Sequence, residues 1–155
     1  MANGDRDEDQ LRKRLVNSLR EVLTKSDSEL LVEEVHGVGE HGLDIIFLTK
    51  DKFGEKHCFG IQVKAVDITC QSKPTKDVKE IIGQLTIASG YDYKFQTDIT
   101  YEFSGFYVVT DKEISEVAKK YISSSFKHGK PIYYLYGSKL AKFLLDSESV
   151  NITQP

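Results

Sequence analysis

Residues 42–67, GLDIIFLTKDKFGEKHCFGIQVKAVD, constrain this chain more than any other stretch. Residues 43–50 are rich in branched and aromatic side chains, residues 51–55 carry turn chemistry around Gly54, and residues 57–66 are apolar again. That is the pattern of a β-hairpin. Strand side chains alternate faces, so Cys58, Gly60, Gln62 and Lys64 share one side, and Phe59, Ile61, Val63 and Ala65 the other. A five-residue loop centred on Phe53 sets Asp44 opposite Gln62 and makes Lys64 the diagonal neighbour of Asp44. A carboxylate, an amide and an ammonium then converge on one face of an otherwise apolar hairpin. A register slip of one residue separates them, so the parity of the turn is part of the expectation.

Each charge alone has an ordinary explanation. Asp44 beside a glycine can end a turn, and a strand lysine can reach solvent along its stem. Together, embedded in LDIIFL and FGIQVKAV, they are costly unless paired or functional. The joint pattern favours a functional site.

The rest of the chain surrounds this hairpin. Residues 1–9 are polar and acidic and are expected to be loose. Leu11, Leu15, Leu19, Val22 and Leu23 recur at helical spacing and predict an amphipathic helix of about four turns. Residues 30–36 predict a short strand. Residues 37–42 form a glycine-rich connection that lies between two strands instead of opening a helix, which excludes a phosphate-cradling nucleotide loop. After Pro74, the apolar face of Val78, Ile81, Ile82, Leu85 and Ala88 predicts a second helix stopped by Gly90, with Gly83 allowing close approach to the sheet. Residues 91–104 are aromatic and irregular. Residues 105–109 predict a strand, and residues 110–113 a capping box opening a helix through Ile114 and Ile122. Residues 132–136 predict a last strand, and Ser138 caps a short helix on Leu140, Phe143 and Leu144. A polar tail follows from Ser147.

The expected fold is therefore α/β, an α+β mixed sheet. Three strands form an antiparallel meander, and two more join through helical crossovers. A single domain over residues 10–146 is expected, flanked by the loose segment 1–9 and the tail 147–155. The chain has 155 residues, enough for one core. Its net charge of -3 does not advertise a nucleic-acid binder. Local basic faces can still steer a polyanion, and Lys73, Lys76 and Lys79 form one such cluster. Two cysteines make neither a disulfide framework nor a zinc set. With no leader-like segment and no long apolar run, the sequence is read as a soluble, cytoplasmic protein without a membrane partner.

The order αβββαβ, with Gly42-Leu43-Asp44 opening the second strand and Gln62-Val63-Lys64 within the third, resembles the PD-(D/E)xK nuclease superfamily. Within it, the chain is similar to Mrr-like restriction endonucleases and to archaeal Holliday-junction resolvases. The runs GFYVVTDKEISEVAKKYI and PIYYLYGSKLAKFLL also resemble the Mrr-like pattern, in which an αβα extension closes the domain. The resemblance spans roughly residues 10–146. It implies a restriction-endonuclease-like fold and a metal-dependent DNA endonuclease acting in restriction or defence. Asp44, Gln62 and Lys64 would carry the chemistry, with Mg2+ or Mn2+ as cofactor. Double-stranded DNA is the implied partner, and a homodimer is compatible with cutting two strands.

Such chemistry needs an ion that activates water and neutralises charge developing on phosphorus. Magnesium accepts one carboxylate plus neutral oxygens and waters. Asp44 would anchor it, Gln62 would offer its side-chain carbonyl, and the Val63 backbone carbonyl is the ligand the family's geometry implies. Lys64 would orient water or hold phosphate. The family's usual second acid is replaced here by Gln62, as in many Mrr-like members. Glu34, or else Glu33, is a candidate extra oxygen whose face the alternation leaves open. His41 and Gln84 are secondary candidates: an exposed loop histidine is more often neutral background, and a solvent-facing glutamine is an equally ordinary reading of Gln84. The tyrosines at 91, 93, 101, 133, 134 and 136 could stack on bases, but strand formation explains most of them better. The rival readings are a catalytically weak nuclease-fold module that docks on nucleic acid, and a protein-interaction domain.

Overall fold

The computed structural model describes residues 2–35 and 42–153. Strands β1 (Val32–Glu34), β2 (Ile45–Lys50) and β3 (Lys56–Lys64) form an antiparallel meander. In the hairpin, Ile45 stands opposite Ile61 and Lys50 opposite Lys56. The turn closes through the Asp51 N–H to the Glu55 carbonyl at 2.9 Å, with Gly54 at φ 83°. The Asp51 carboxylate also accepts from the N–H groups of Phe53 and Glu55 at 2.9 and 3.0 Å. The loop is thus centred on Phe53, the parity that carries Asp44 to the position facing Gln62.

Helix α1 (Ala2–Leu19) precedes the meander and ends in a π-helical turn, Arg20–Thr24. After β3, α2 (Lys76–Ser89) crosses over. A small separate ribbon, β4 (Tyr93–Lys94) with β5 (Thr100–Tyr101), leads into β6 (Phe103–Thr110), which runs parallel to β3. Helix α3 (Glu116–Ser125) then crosses to β7 (Ile132–Tyr136), parallel to β6, and α4 (Gly137–Thr153) follows. The sheet order is β1-β2-β3-β6-β7. This is the mixed sheet with helices on both faces that the sequence predicts.

Alternation divides the core in two. Ile46, Leu48, Cys58, Phe106 and Val108 pack with Val78, Ile81 and Leu85 of α2 and Ile122 of α3. Ile45, Phe47, Ile61, Val63 and Val109 pack with Leu11 and Leu15 of α1 and Leu140 and Leu144 of α4. Each fully buried large apolar side chain contributes about 1.5–3 kcal/mol. Burial also pushes the Cys58 thiol up to about 12, which leaves it an inert core residue.

Several expectations change. Residues 2–9 are helical, since α1 begins at Ala2. Asp7, Glu8 and Asp9 suit a helix N-terminal half, and Asp9 pairs with Arg12 one turn on, at 2.7 Å. The tail from Ser147 is helical to Thr153. Ser147 itself is buried, and its hydroxyl donates to the Phe143 carbonyl at 2.6 Å. Arg14 joins the two terminal helices through a two-point bond to Glu148 at 2.6 and 2.9 Å.

Third, α3 is not opened by residues 110–113. Its N-cap is Ser115, which accepts from the Ala118 N–H. Residues 113–115 instead pair with Ile68, exchanging backbone hydrogen bonds at 2.9 and 3.0 Å. Burial of Ile68 and Ile114 outweighs the local capping signal. Fourth, residues 91–104 contain the β4–β5 ribbon, and β6 starts two residues earlier than expected. Fifth, a side chain on Gly83 would meet nothing within 4 Å, so the close approach to α2 is made elsewhere, by Gly42.

Candidate active site

Asp44 sits one residue before β2, where the strand leaves the ladder. Its N–H donates to the Ile61 carbonyl and its carbonyl accepts from the Val35 N–H, both at 2.9 Å. Beyond that point its Oδ2 accepts from the Val63 N–H at 2.7 Å. The carboxylate therefore stands in for the backbone acceptor that β2 no longer supplies. This is why an acid can be 6% exposed here without disrupting the sheet.

Gln62 and Lys64 follow on β3, two residues apart and on the face shared with Asp44. They are 2% and 7% exposed. The Gln62 amide N–H donates weakly to the Gly42 carbonyl at 3.4 Å, while its Oε1 is buried with no hydrogen-bond partner among the described residues. Lys64 Nζ is ion-paired with Glu80 of α2. Val63 points its side chain to the opposite layer, so only its backbone borders the site.

Helix α2 roofs this face. Glu80 and Gln84 are one turn apart, a rise of about 6 Å, which matches the roughly 6.6 Å between residues two apart on a strand. Glu80 thus meets Lys64, while Gln84 lies against Gly42, whose carbonyl Gln62 reaches. Gly42 has φ 68°, and a Cβ there would fall 2.7 Å from the Gln84 Cβ. Only glycine satisfies both the backbone and the contact. The Gln84 Oε1 is also buried without a partner among the described residues. Leaving a buried acceptor unmade costs about 1–3 kcal/mol, and two such oxygens in one region mark it as unusual.

The structure thus brings Asp44, Gln62, Lys64 and Gln84 to one sheet face. It also adds Glu80, which the sequence reading missed. The available signal was its position four residues before Gln84 on a helix predicted to cover that face.

Glu34 belongs elsewhere. It faces α1 and accepts from Arg12 Nε at 2.6 Å, on the opposite side of the sheet from Asp44. Burial works against the Arg12 charge, and the hydrogen bonds to Glu34 and Asp9 outweigh it, raising its pKa. Glu33 does share the Asp44 face, but its carboxylate is occupied by the Tyr93 hydroxyl at 2.6 Å and the Gln96 N–H at 3.0 Å. Burial, then that bond to Glu33, pushes the Tyr93 hydroxyl up, so it stays protonated as the donor to Glu33. His41 lies outside the described residues. Lys73, Lys76 and Lys79 are exposed around the N-terminal end of α2, the end that overhangs Lys64.

Among the described residues, no group of three or more His, Cys, Asp and Glu is placed to hold a metal. Among the described residues, the donors available here are one carboxylate, an amide oxygen without a partner and a backbone carbonyl. That all-oxygen set suits a hydrated hard cation such as magnesium and does not suit zinc. Among the described residues, no helix is long and apolar enough to cross a membrane.

No family model and no curated protein matches the sequence. Among solved structures, the chain is similar to MspJI restriction endonuclease in complex with a 27-mer oligonucleotide. The identity is 16% and the TM-score 0.40, over 86% of this chain and 27% of that one. This chain therefore spans about a quarter of that protein's length.

Proposed function

We propose that this domain is a metal-dependent endonuclease that hydrolyses DNA phosphodiester bonds on the Asp44 face of its sheet. One observation carries the reading. An acid, an amide whose oxygen has no partner among the described residues, and a lysine, all nearly buried, occupy one face at the end of an apolar hairpin. Asp44 and the Gln62 Oε1, with the Val63 carbonyl, would hold Mg2+ or Mn2+. A bound ion would lower the pKa of water and offset charge on the phosphate. Lys64 supplies a fixed cation beside the phosphorus oxygens, and the buried setting strengthens that contribution. The exposed Lys73, Lys76 and Lys79 would steer the DNA backbone toward this end of α2. Resemblance to Mrr-like enzymes extends the proposal to double-stranded DNA, a homodimer and a role in defence.

The test is incubation of supercoiled plasmid and of single-stranded DNA with Mg2+ or Mn2+. The proposal expects metal-dependent nicking or cutting that EDTA stops and Asp44→Ala abolishes. Absence of cleavage with DNA binding that weakens steeply with salt would favour the rival docking module. Absence of DNA binding even at low salt would favour an interaction domain.

A further inference from the structure

Lys64 is the one site cation on the hairpin, and it sits on a long flexible stem. A buried ammonium needs a counter-charge, and a useful one needs a fixed direction. On its own strand the neighbouring side chain is the neutral Gln62, so β3 supplies neither. Helix α2 does. Glu80 reaches Lys64 Nζ from above, and its side chain is 39% exposed while that of Lys64 is 9% exposed. The carboxylate therefore stands at the rim of the site and the ammonium beneath it.

The support under Glu80 is rigid. Val78, Ile81 and Leu85 on the same helix are fully buried. Thr75 caps the helix through the Val78 N–H at 3.3 Å. The Gly42 contact with Gln84 sets how closely the helix meets the sheet one turn further on. Helix packing is thereby converted into a position for a side chain on another element.

We infer that Glu80 is a positioning residue, holding the Lys64 ammonium in the direction from which it meets a phosphate in the Asp44 site. This rests on the reading of that face as a phosphodiester-cleaving site. Glu80 touches Lys64, so its effect passes through the lysine. A purely structural ion pair predicts something different: loss of stability, with turnover following only as the fold weakens.

Steady-state cleavage of a plasmid by full-length Glu80→Gln, Glu80→Asp and wild-type protein separates the two, with thermal melts alongside. Glu80→Gln keeps the shape and removes the charge. It is expected to lower kcat by about 10–100-fold, the scale of a small misplacement at a reacting centre. KM for DNA should stay unchanged or fall, because a negative charge beside the phosphate has gone. Tm should stay within a few degrees, since Glu80 is partly exposed. Glu80→Asp retains the carboxylate and should recover turnover relative to Glu80→Gln. An unchanged kcat in Glu80→Gln overturns the inference while leaving the nuclease reading in place. So does a fall in Tm accompanied by a rise in KM. If the wild type does not cut DNA with metal in the same assay, the reading of the face fails and the inference fails with it.

Discussion

Lys64→Met is expected to lower the single-turnover rate of metal-dependent DNA cleavage by about 10²–10³-fold, the usual cost of losing one preorganised transition-state donor. The fold should survive. Methionine matches the lysine stem in length and is apolar, and the position is almost fully buried. The abandoned Glu80 carboxylate is partly exposed and can turn to water. Circular dichroism should therefore match the wild type while cleavage collapses. Wild-type cleavage in this variant would remove Lys64 from the mechanism.

Phe106→Ala is expected to cost about 3–5 kcal/mol of stability, the range for deleting a large aromatic from a core. Phe106 is fully buried on β6, the strand beside β3. It packs against Phe103 with ring centroids 5.2 Å apart and edge-on to Phe126 at 5.8 Å. A Cβ on Gly60 would approach it at 3.2 Å, so the layer has little slack for collapse. Domains of this size are stable by only about 5–15 kcal/mol, so the variant should unfold at much lower denaturant. Urea denaturation measures this as a fall in the midpoint at constant slope. A cost below about 1 kcal/mol would mean that the layer repacks freely.

The central strands and their faces were legible because period-two alternation and turn chemistry are local signals. Asp51, Gly54 and Glu55 fix the loop parity by themselves. That parity alone brings Asp44 to the position facing Gln62. The crossover helices were legible from their apolar stripes. What the sequence hid was decided by partners far along the chain. Glu33 and Glu34 are adjacent glutamates, and only the pairing of β1 with β2 shows that Glu34 meets Arg12 while Glu33 meets Tyr93. Thr110 looked like an N-cap, but its hydroxyl donates to the Val66 carbonyl at 2.8 Å, and the cap passed to Ser115. Gly83 looked like the contact glycine of α2, yet Gly42 makes that contact from the sheet side. Glu80 went unnoticed because a glutamate on a helix is ordinarily solvated. Only the seating of α2 on β3 makes it a partner of Lys64.

If the Asp44 face holds a divalent ion, a Mn2+ titration followed by electron paramagnetic resonance will show it. Saturable binding is expected, abolished by Asp44→Asn and weakened by Gln62→Ala, with the fold intact in both variants. No binding by the wild type, or binding that Asp44→Asn leaves unchanged, would contradict an ion site on that face.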